Sequence, residues 1–282
     1  MATIVNEPRA MQRAAAELRG KGKRIALVPT MGALHEGHLT LIRTARTLAD
    51  EVIVSIFVNP TQFGEGEDFE RYPRDPDRDA ESATVAGATY IFAPAPQAIY
   101  PPGYQTYLSV ENLSKVLEGR SRPGHFRGVV TIVAKLFHLT IPHMALFGQK
   151  DAQQVAVIRR MIRDLDVDVE LVVVPIVRES DGLAMSSRNA YLTSQQRLEA
   201  PILFTALRKA AERHERGERD CSAIIRSMRD LITSRSSGVI DYISIADEET
   251  LEELSELNPG RRALVSLAVR FGSTRLIDNT VL

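Results

Sequence analysis

One cysteine, Cys221, stands alone in the chain, which excludes an internal disulfide framework and a cysteine-cluster metal site and fits a reducing compartment. Its expected role is packing. Excess charge of either sign is missing as well: 35 basic residues balance 36 acidic ones for a formal net charge of −1, which argues against a strong nonspecific binder of nucleic acid or membrane surfaces. No stretch approaches the roughly 18 consecutive apolar residues of a membrane span. Met1 to Gly22 reads as a charged amphipathic helix without an apolar centre, unlike a secretory signal, so a cytoplasmic protein with no membrane or nucleic-acid partner is expected. Several nucleotide and acyl-transfer signatures are also missing. There is no Gly-x-x-x-x-Gly-Lys-Ser/Thr loop, and no Gly-x-Gly-x-x-Gly follows the first strand; Gly64-Glu65-Gly66 fails because Phe69 takes the third glycine position. Without a Gly-x-Ser-x-Gly elbow, covalent acyl-enzyme chemistry has no support.

What is present centres on Pro29-Thr30-Met31-Gly32-Ala33-Leu34-His35-Glu36-Gly37-His38. Arg24 to Val28 ahead of it reads as a short buried strand, and Leu39 to Ala49 behind it has apolar residues at helical spacing. The stretch is therefore a strand-to-helix turn, where free N–H groups and the helix dipole favour a bound phosphate. His35 and His38 are three apart, which puts both rings on one helix face. That spacing is wrong for the His-Glu-x-x-His zinc site, which needs ligands four apart. The His-x-Gly-His pattern after a first strand resembles instead the signature of the nucleotidylyltransferase and class I synthetase superfamily, where the imidazoles contact the triphosphate of ATP.

The 282 residues suffice for two modest domains. Glu51 to Val58, Thr89 to Phe92, His143 to Phe147 and Val169 to Val174 read as further strands, with helices over Asp77 to Gly87, Val129 to Leu139 and Ala152 to about Leu165. A strand from Gln105 to Val110 and a short helix from Asn112 to Glu118 are expected between them. Alternating strands and helices are the mark of a Rossmann-like doubly wound parallel sheet, an α/β fold whose ligand site lies at the carboxyl ends of the strands. Four polar stretches fall there: Thr30 to His38, Asn59 to Phe63, Gly148 to Gln154, and the segment after Val174. Gly64 to Arg78 is a long polar loop, of a length that is usually functional or disordered. The domain junction is placed after residue 176. Beyond it, helices over Ser194 to Gly217 and Cys221 to Thr233, then strands at Tyr242 to Ala246, Ala263 to Val269 and Arg275 to Ile277, form a smaller C-terminal α+β domain with an antiparallel sheet, residues 177–282, expected to cover the active site.

Phosphate-handling groups gather at these strand ends: His35 and His38 at the first, Lys150 and Asp151 at a later one, Ser186, Ser187 and Arg188 at the junction. Attack at an α-phosphorus needs positive charge and hydrogen-bond donors on the phosphates and no protein nucleophile. Asn59, Gln62 and Gln154 are neutral groups suited to holding a small polar acid. Taken singly, Lys150-Asp151 is also an ordinary helix-start ion pair worth at most about 1 kcal/mol, and Ser186-Ser187 a cap or turn.

Six blocks together carry a closer likeness. The stretch Pro29 to His38, Phe57-Val58-Asn59-Pro60-Thr61-Gln62-Phe63, Arg71-Tyr72-Pro73-Arg74, Arg122-Pro123-Gly124-His125-Phe126-Arg127-Gly128, Phe147-Gly148-Gln149-Lys150-Asp151 and Met185-Ser186-Ser187-Arg188-Asn189 resemble, in order, the motifs of the pantothenate synthetase family. The resemblance implies an ATP-dependent ligase joining pantoate to β-alanine through a pantoyl adenylate, a homodimer, with Mg²⁺ accompanying ATP. It implies ATP binding at Met31 to His38, Gly148 to Asp151, Val177 and Met185 to Arg188, and pantoate or β-alanine binding at Gln62 and Gln154. His38 matches a position assigned as a proton donor. A carboxylate nucleophile has no proton to lose, so His38 is expected to act by hydrogen bonding, together with His35, Lys150 and Arg188. Rival expectations are another small-molecule nucleotidylyltransferase, which would transfer AMP and stop, and a catalytically inert nucleotide-binding module. No metal ligand is assigned.

Overall fold

The computed structural model describes Met1–Leu282. The chain divides into two compact units, Met1–Gly148 with Val157–Pro175, and Gln149–Ala156 with Ile176–Leu282. The second unit thus takes in the turn that carries Lys150.

Strands β1 (Thr3–Val5), β2 (Ile25–Thr30), β3 (Glu51–Ile56), β4 (Tyr90–Phe92), β5 (Met144–Gly148) and β6 (Glu170–Val174) form one sheet in the order β1-β4-β3-β2-β5-β6, every pairing parallel. The order reverses direction between β2 and β5. That is a topological switch point, and the carboxyl ends beside it are the usual ligand edge of such a sheet. Alternate residues of the central strands, Ala26, Val28, Val52 and Val54, pack with Leu41, Ile42 and Ala45 of α2 (Glu36–Leu48) and with Ala83 and Ala86 of α3 (Pro76–Ala86). Helix α1 (Pro8–Gly20) packs on β1 and β2, and also on the long helix that precedes β5, itself in contact with β2. Both faces of the sheet are covered, so its strands are continuously apolar.

Three expectations change in this unit. The first residues are not all helical: Thr3–Val5 adds an edge strand beside β4, and the helix begins only at Pro8, whose missing N–H suits a first helical position. Residues 105–110 form no strand; after α4 (Pro96–Ile99) Tyr100, Tyr104 and Tyr107 stack edge to face, with Lys135 over Tyr104 and Arg127 over Tyr107. Residues 112–117 are turns, and only α5 (Glu118–Ser121) is helical before α6 (His125–Thr140), the helix that precedes β5.

The second unit starts with the Gln149–Asp151 turn and the amino end of α7 (Ala152–Asp164) and continues after β6. Its sheet is antiparallel, β7 (Val239–Asp247), β8 (Ala263–Phe271) and β9 (Thr274–Val281) in that order. One face packs Ile243, Ile245, Val265, Leu267 and Val269 with Leu203, Leu207, Ile224 and Met228 of the helices. The helix expected over 194–217 is two, α8 (Ser194–Glu199) and α9 (Ile202–Glu215), broken where Pro201 lacks the N–H a continuing helix needs. Helix α10 (Cys221–Arg235) follows, with Cys221 buried in the core.

Candidate active site

The turn after β2 is held from a distance. Asp79, buried in the first turn of α3, accepts the backbone N–H of Ala33 and of Leu34, each at 2.8 Å. Gly32 has φ +80, and a Cβ there would stand 2.8 Å from Asp79 Oδ2, so the close approach requires glycine. Thr30 closes the strand end by donating to the carbonyl of Ser55 at 2.7 Å. Sequence reading did not single out Asp79. Nothing near it in the chain marks it, because the groups it holds lie 45 and 46 residues away.

Helix α2 begins at His35, whose Nδ1 accepts the N–H of Gly37 at 3.2 Å, while Nδ1 of His38 accepts the N–H of His35 at 3.4 Å. A ring nitrogen that accepts a backbone N–H carries no proton, so in the neutral imidazole the proton sits on Nε2. Both rings therefore present Nε2 as a donor. Their centroids lie 4.1 Å apart, as the three-residue spacing requires. Glu36 between them is exposed and paired with Arg43.

At the end of β3, Asn59 caps the 3-10 turn Pro60–Gln62 and is buried. Its Oδ1 accepts from the N–H of Thr61 at 3.3 Å, the Thr61 hydroxyl at 2.9 Å and the Tyr100 phenol at 2.9 Å. Its Nδ2 donates to the Gly128 carbonyl at 3.1 Å and to Gln62 Oε1 at 3.0 Å. Both amide hydrogens of Asn59, expected to hold the acid directly, are thus engaged within the protein, one of them on Gln62. Burial pushes the Tyr100 phenol up to about 12, so it stays a donor. Gln62 is left with Nε2, 2.9 Å from Met31 Sδ, as its outward donor.

The Arg122 to Gly128 block buttresses this turn. Arg122 forks Glu67 of the long polar loop at 2.6 and 2.7 Å. His125 donates from Nδ1 to the Gln62 carbonyl at 2.8 Å and accepts Arg122 on Nε2 at 3.1 Å. Burial, and then the adjacent guanidinium, hold that imidazole down at about 4, so it is neutral near pH 7. Gly128 lies against the turn so closely that a Cβ would come within 2.3 Å of the Thr61 carbonyl oxygen. The 64–78 loop is folded on itself: Phe63 meets Phe69 and Tyr72 edge-on, and Arg74 donates to the Phe69 carbonyl at 2.8 Å.

In the second unit, Lys150 lies in the 3-10 turn Gln149–Asp151, its Nζ 3.7 Å from Asp151 Oδ1, and half-buried Gln154 is in the first turn of α7. Residues 177–185 form a short clasp in which the Met185 N–H donates to the Val177 carbonyl at 3.0 Å and Arg178 bridges Ala184. Ser186 Oγ accepts the Arg188 N–H at 3.3 Å and so caps the turn Ser187–Tyr191. Asn189 ties that turn back to Glu179 and to the Ala184 carbonyl, both at 3.1 Å. No group of three or more His, Cys, Asp or Glu side chains could hold a metal ion, and no helix is long and apolar enough to cross a membrane.

Comparison with known proteins follows the same outline. The family model described as Pantoate-beta-alanine ligase matches residues 3–281. Pantothenate synthetase of Acetivibrio thermocellus is 54% identical over 260 residues, 92% of either chain, and that of Geotalea uraniireducens is 54% identical over 272 residues, 96% of either. Among solved structures, pantothenate synthetase from Thermus thermophilus superposes with a TM-score of 0.91 at 43% identity, covering 99% of this chain and 98% of that one. Pantoate-beta-alanine ligase from Francisella tularensis, complexed with beta-gamma ATP and beta-alanine, gives 0.81 at 32% identity, covering 100% and 98%.

Proposed function

The chain belongs to the pantoate-beta-alanine ligase family, and from that premise we propose how its own residues serve the reaction. The reaction is the ATP-dependent condensation of pantoate with β-alanine to pantothenate. It runs in two displacements. A pantoate carboxylate oxygen attacks the α-phosphorus of ATP and pyrophosphate leaves; the β-alanine amine then attacks the acyl carbon of pantoyl adenylate, loses a proton, and AMP leaves.

The observation that carries the residue assignment is the fixed pair of Nε2 donors on His35 and His38, at the carboxyl end of β2 beside the switch point. Such donors, aimed before the reaction begins, stabilise charge that grows on phosphate oxygens in the transition state. Backbone held by Asp79 keeps the helix start in place for the triphosphate. Lys150 and Arg188 supply positive charge, with the main chain of Gly148 to Asp151, Val177 and Met185 to Ser187 lining the nucleotide. Ser186 serves mainly as the cap of its turn. Gln62 donates from Nε2 to pantoate, Gln154 takes the same substrate, and Asn59 acts through Gln62. The protonated nitrogen of each histidine suits hydrogen bonding, in keeping with a nucleophile that carries no proton.

Mg²⁺ accompanies ATP in this reading. Without a cluster of three side-chain ligands, its donors would be phosphate oxygens and water, the usual Mg²⁺ arrangement, with Asp151 as the nearest candidate carboxylate beside Lys150. When bound it neutralises phosphate charge. A homodimer working in the cytoplasm is the further expectation carried by the family likeness.

One assay tests the reading: release of AMP and pyrophosphate from ATP with pantoate and β-alanine, omitting each in turn. Exchange of labelled pyrophosphate into ATP is expected only when pantoate is present. Exchange that ignores pantoate would sink it in favour of another nucleotidylyltransferase, and no turnover at all in favour of an inert nucleotide-binding module.

A further inference from the structure

Near the carboxyl end of the chain, two adjacent residues of β9 hold the two cation-bearing segments of the second unit. Asn279 is buried and donates from Nδ2 to two successive carbonyls, that of Gln149 at 3.0 Å and that of Lys150 at 2.9 Å. Those carbonyls can only accept, which fixes Nδ2 as the end of the amide that faces them, and Oδ1 accepts Gln149 Nε2 at 3.2 Å. Asp278 is buried too. Its carboxylate accepts a two-pronged Arg178 at 2.6 and 2.9 Å, and Oδ1 also accepts the Asn279 N–H at 2.8 Å. Arg178 heads the clasp that leads to Ser186-Ser187-Arg188; it donates to the Gly182 carbonyl at 3.0 Å and stacks 4.2 Å over Phe204.

We propose that Asp278 and Asn279 are positioning residues that hold the Lys150 turn and the Arg188 clasp in fixed register for the triphosphate. The inference rests on the ATP-ligase reading above. A strand is a stiff mount, and side chains of neighbouring residues leave it on opposite faces. Asp278 thus reaches the clasp from one face while Asn279 reaches the turn from the other. Lys150 is a flexible point charge whose aim depends on its backbone. A main-chain turn with both carbonyls tethered to one buried amide cannot drift without stranding two acceptors.

The test is Asn279→Asp, nearly the same shape but with a carboxylate that cannot donate to either carbonyl. Single-turnover pyrophosphate release with saturating pantoate is expected to fall on the order of 10- to 100-fold, the scale for an ångström of misplacement. The Michaelis constant for ATP should rise about tenfold while that for pantoate stays within about twofold. The deficit against the unsubstituted chain should shrink on acidification, because a buried carboxyl beside two carbonyl oxygens has a raised pKa and its proton restores one donor. A folded variant with an unchanged rate, or one whose two Michaelis constants rise together, overturns the proposal. If Asn279→Asp does not accumulate folded, Asn279→Ser takes its place: it adds no charge and keeps one donor, so a smaller rise confined to the ATP constant supports the assignment and an unchanged one refutes it. Unsubstituted protein run alongside separates the two levels, since a lack of pantoate-dependent pyrophosphate release there would defeat the ligase reading itself.

Discussion

Asn59 donates its side-chain amide to the side-chain carbonyl of Gln62 at 3.0 Å, and that bond decides which end of the Gln62 amide points away from Asn59. The direction is set by main-chain groups with no choice of role. The Thr61 N–H can only donate and the Gly128 carbonyl can only accept, so Asn59 Oδ1 faces the first and Nδ2 the second. Gln62 Oε1 must then accept, and Nε2 remains to donate.

Substituting Asn59→Asp places a carboxylate against Gln62 Oε1, and the glutamine amide is expected to turn over and offer its carbonyl to pantoate. The pantoate Michaelis constant should rise more in Asn59→Asp than in Gln62→Ala, because a mismatched acceptor repels a carboxylate whereas an absent one only fails to bind it. Steady-state kinetics with pantoate varied at saturating ATP checks this; an unaltered pantoate constant in Gln62→Ala would count against the assignment.

His38→Ala removes one fixed donor and should slow adenylate formation roughly 10²–10³-fold. Single-turnover pyrophosphate release measures it. An unchanged rate would mean that the His38 ring serves only to cap α2.

Asp79→Asn tests the clasp on the turn. One acceptor oxygen becomes an amide facing a backbone N–H, which strands a buried donor at a cost of about 1–3 kcal/mol. Chemical denaturation should show that loss, with a rise in the ATP constant and little change for pantoate. A variant as stable as the parent would show that the two N–H groups find other partners.

His125 makes stability depend on pH in a stated direction. Its folded pKa, about 4, lies below the ordinary histidine value near 6.5, so the unfolded chain binds the proton more readily in that interval. The contribution is present in full above about pH 6.5 and declines as pH falls toward 4, amounting to about 3 kcal/mol at most. Urea unfolding from pH 7 to 4.5, set against His125→Gln, should show the difference between the two proteins narrowing as acid is added. A difference that stays constant would place His125 outside the linkage.

Much of the site is local in the chain and can be read from it. The strand-to-helix turn at Pro29 to His38 shows in its spacing, since residues three apart on a helix must share a face, and the rings do stand 4.1 Å apart. Five of the six parallel strands, β2 to β6, follow from short apolar runs alternating with helices, and their polar ends mark the edge where a ligand is expected. Where the reading missed, a nonlocal partner or a proline was responsible. Thr3–Val5 is a strand only because β4 offers an edge, and residues 105–110 lack a strand despite a suitable pattern, their backbone meeting α6 instead, where the Leu108 N–H donates to the Thr131 hydroxyl at 3.0 Å.

By itself the sequence determined the class of fold, the polar strand ends where a ligand is expected, and the family, because periodicity and contiguous motifs encode contacts between near neighbours. Only the tertiary structure decided what each side chain is free to do. Asn59 engages both amide hydrogens within the protein, Ser186 caps its turn, and Asp79, Asp278 and Asn279 bond to groups far from them in the chain. The reason is physical: a buried hydrogen bond engages a donor or acceptor from anywhere in the chain, and a single sequence carries no mark of which distant group it will be.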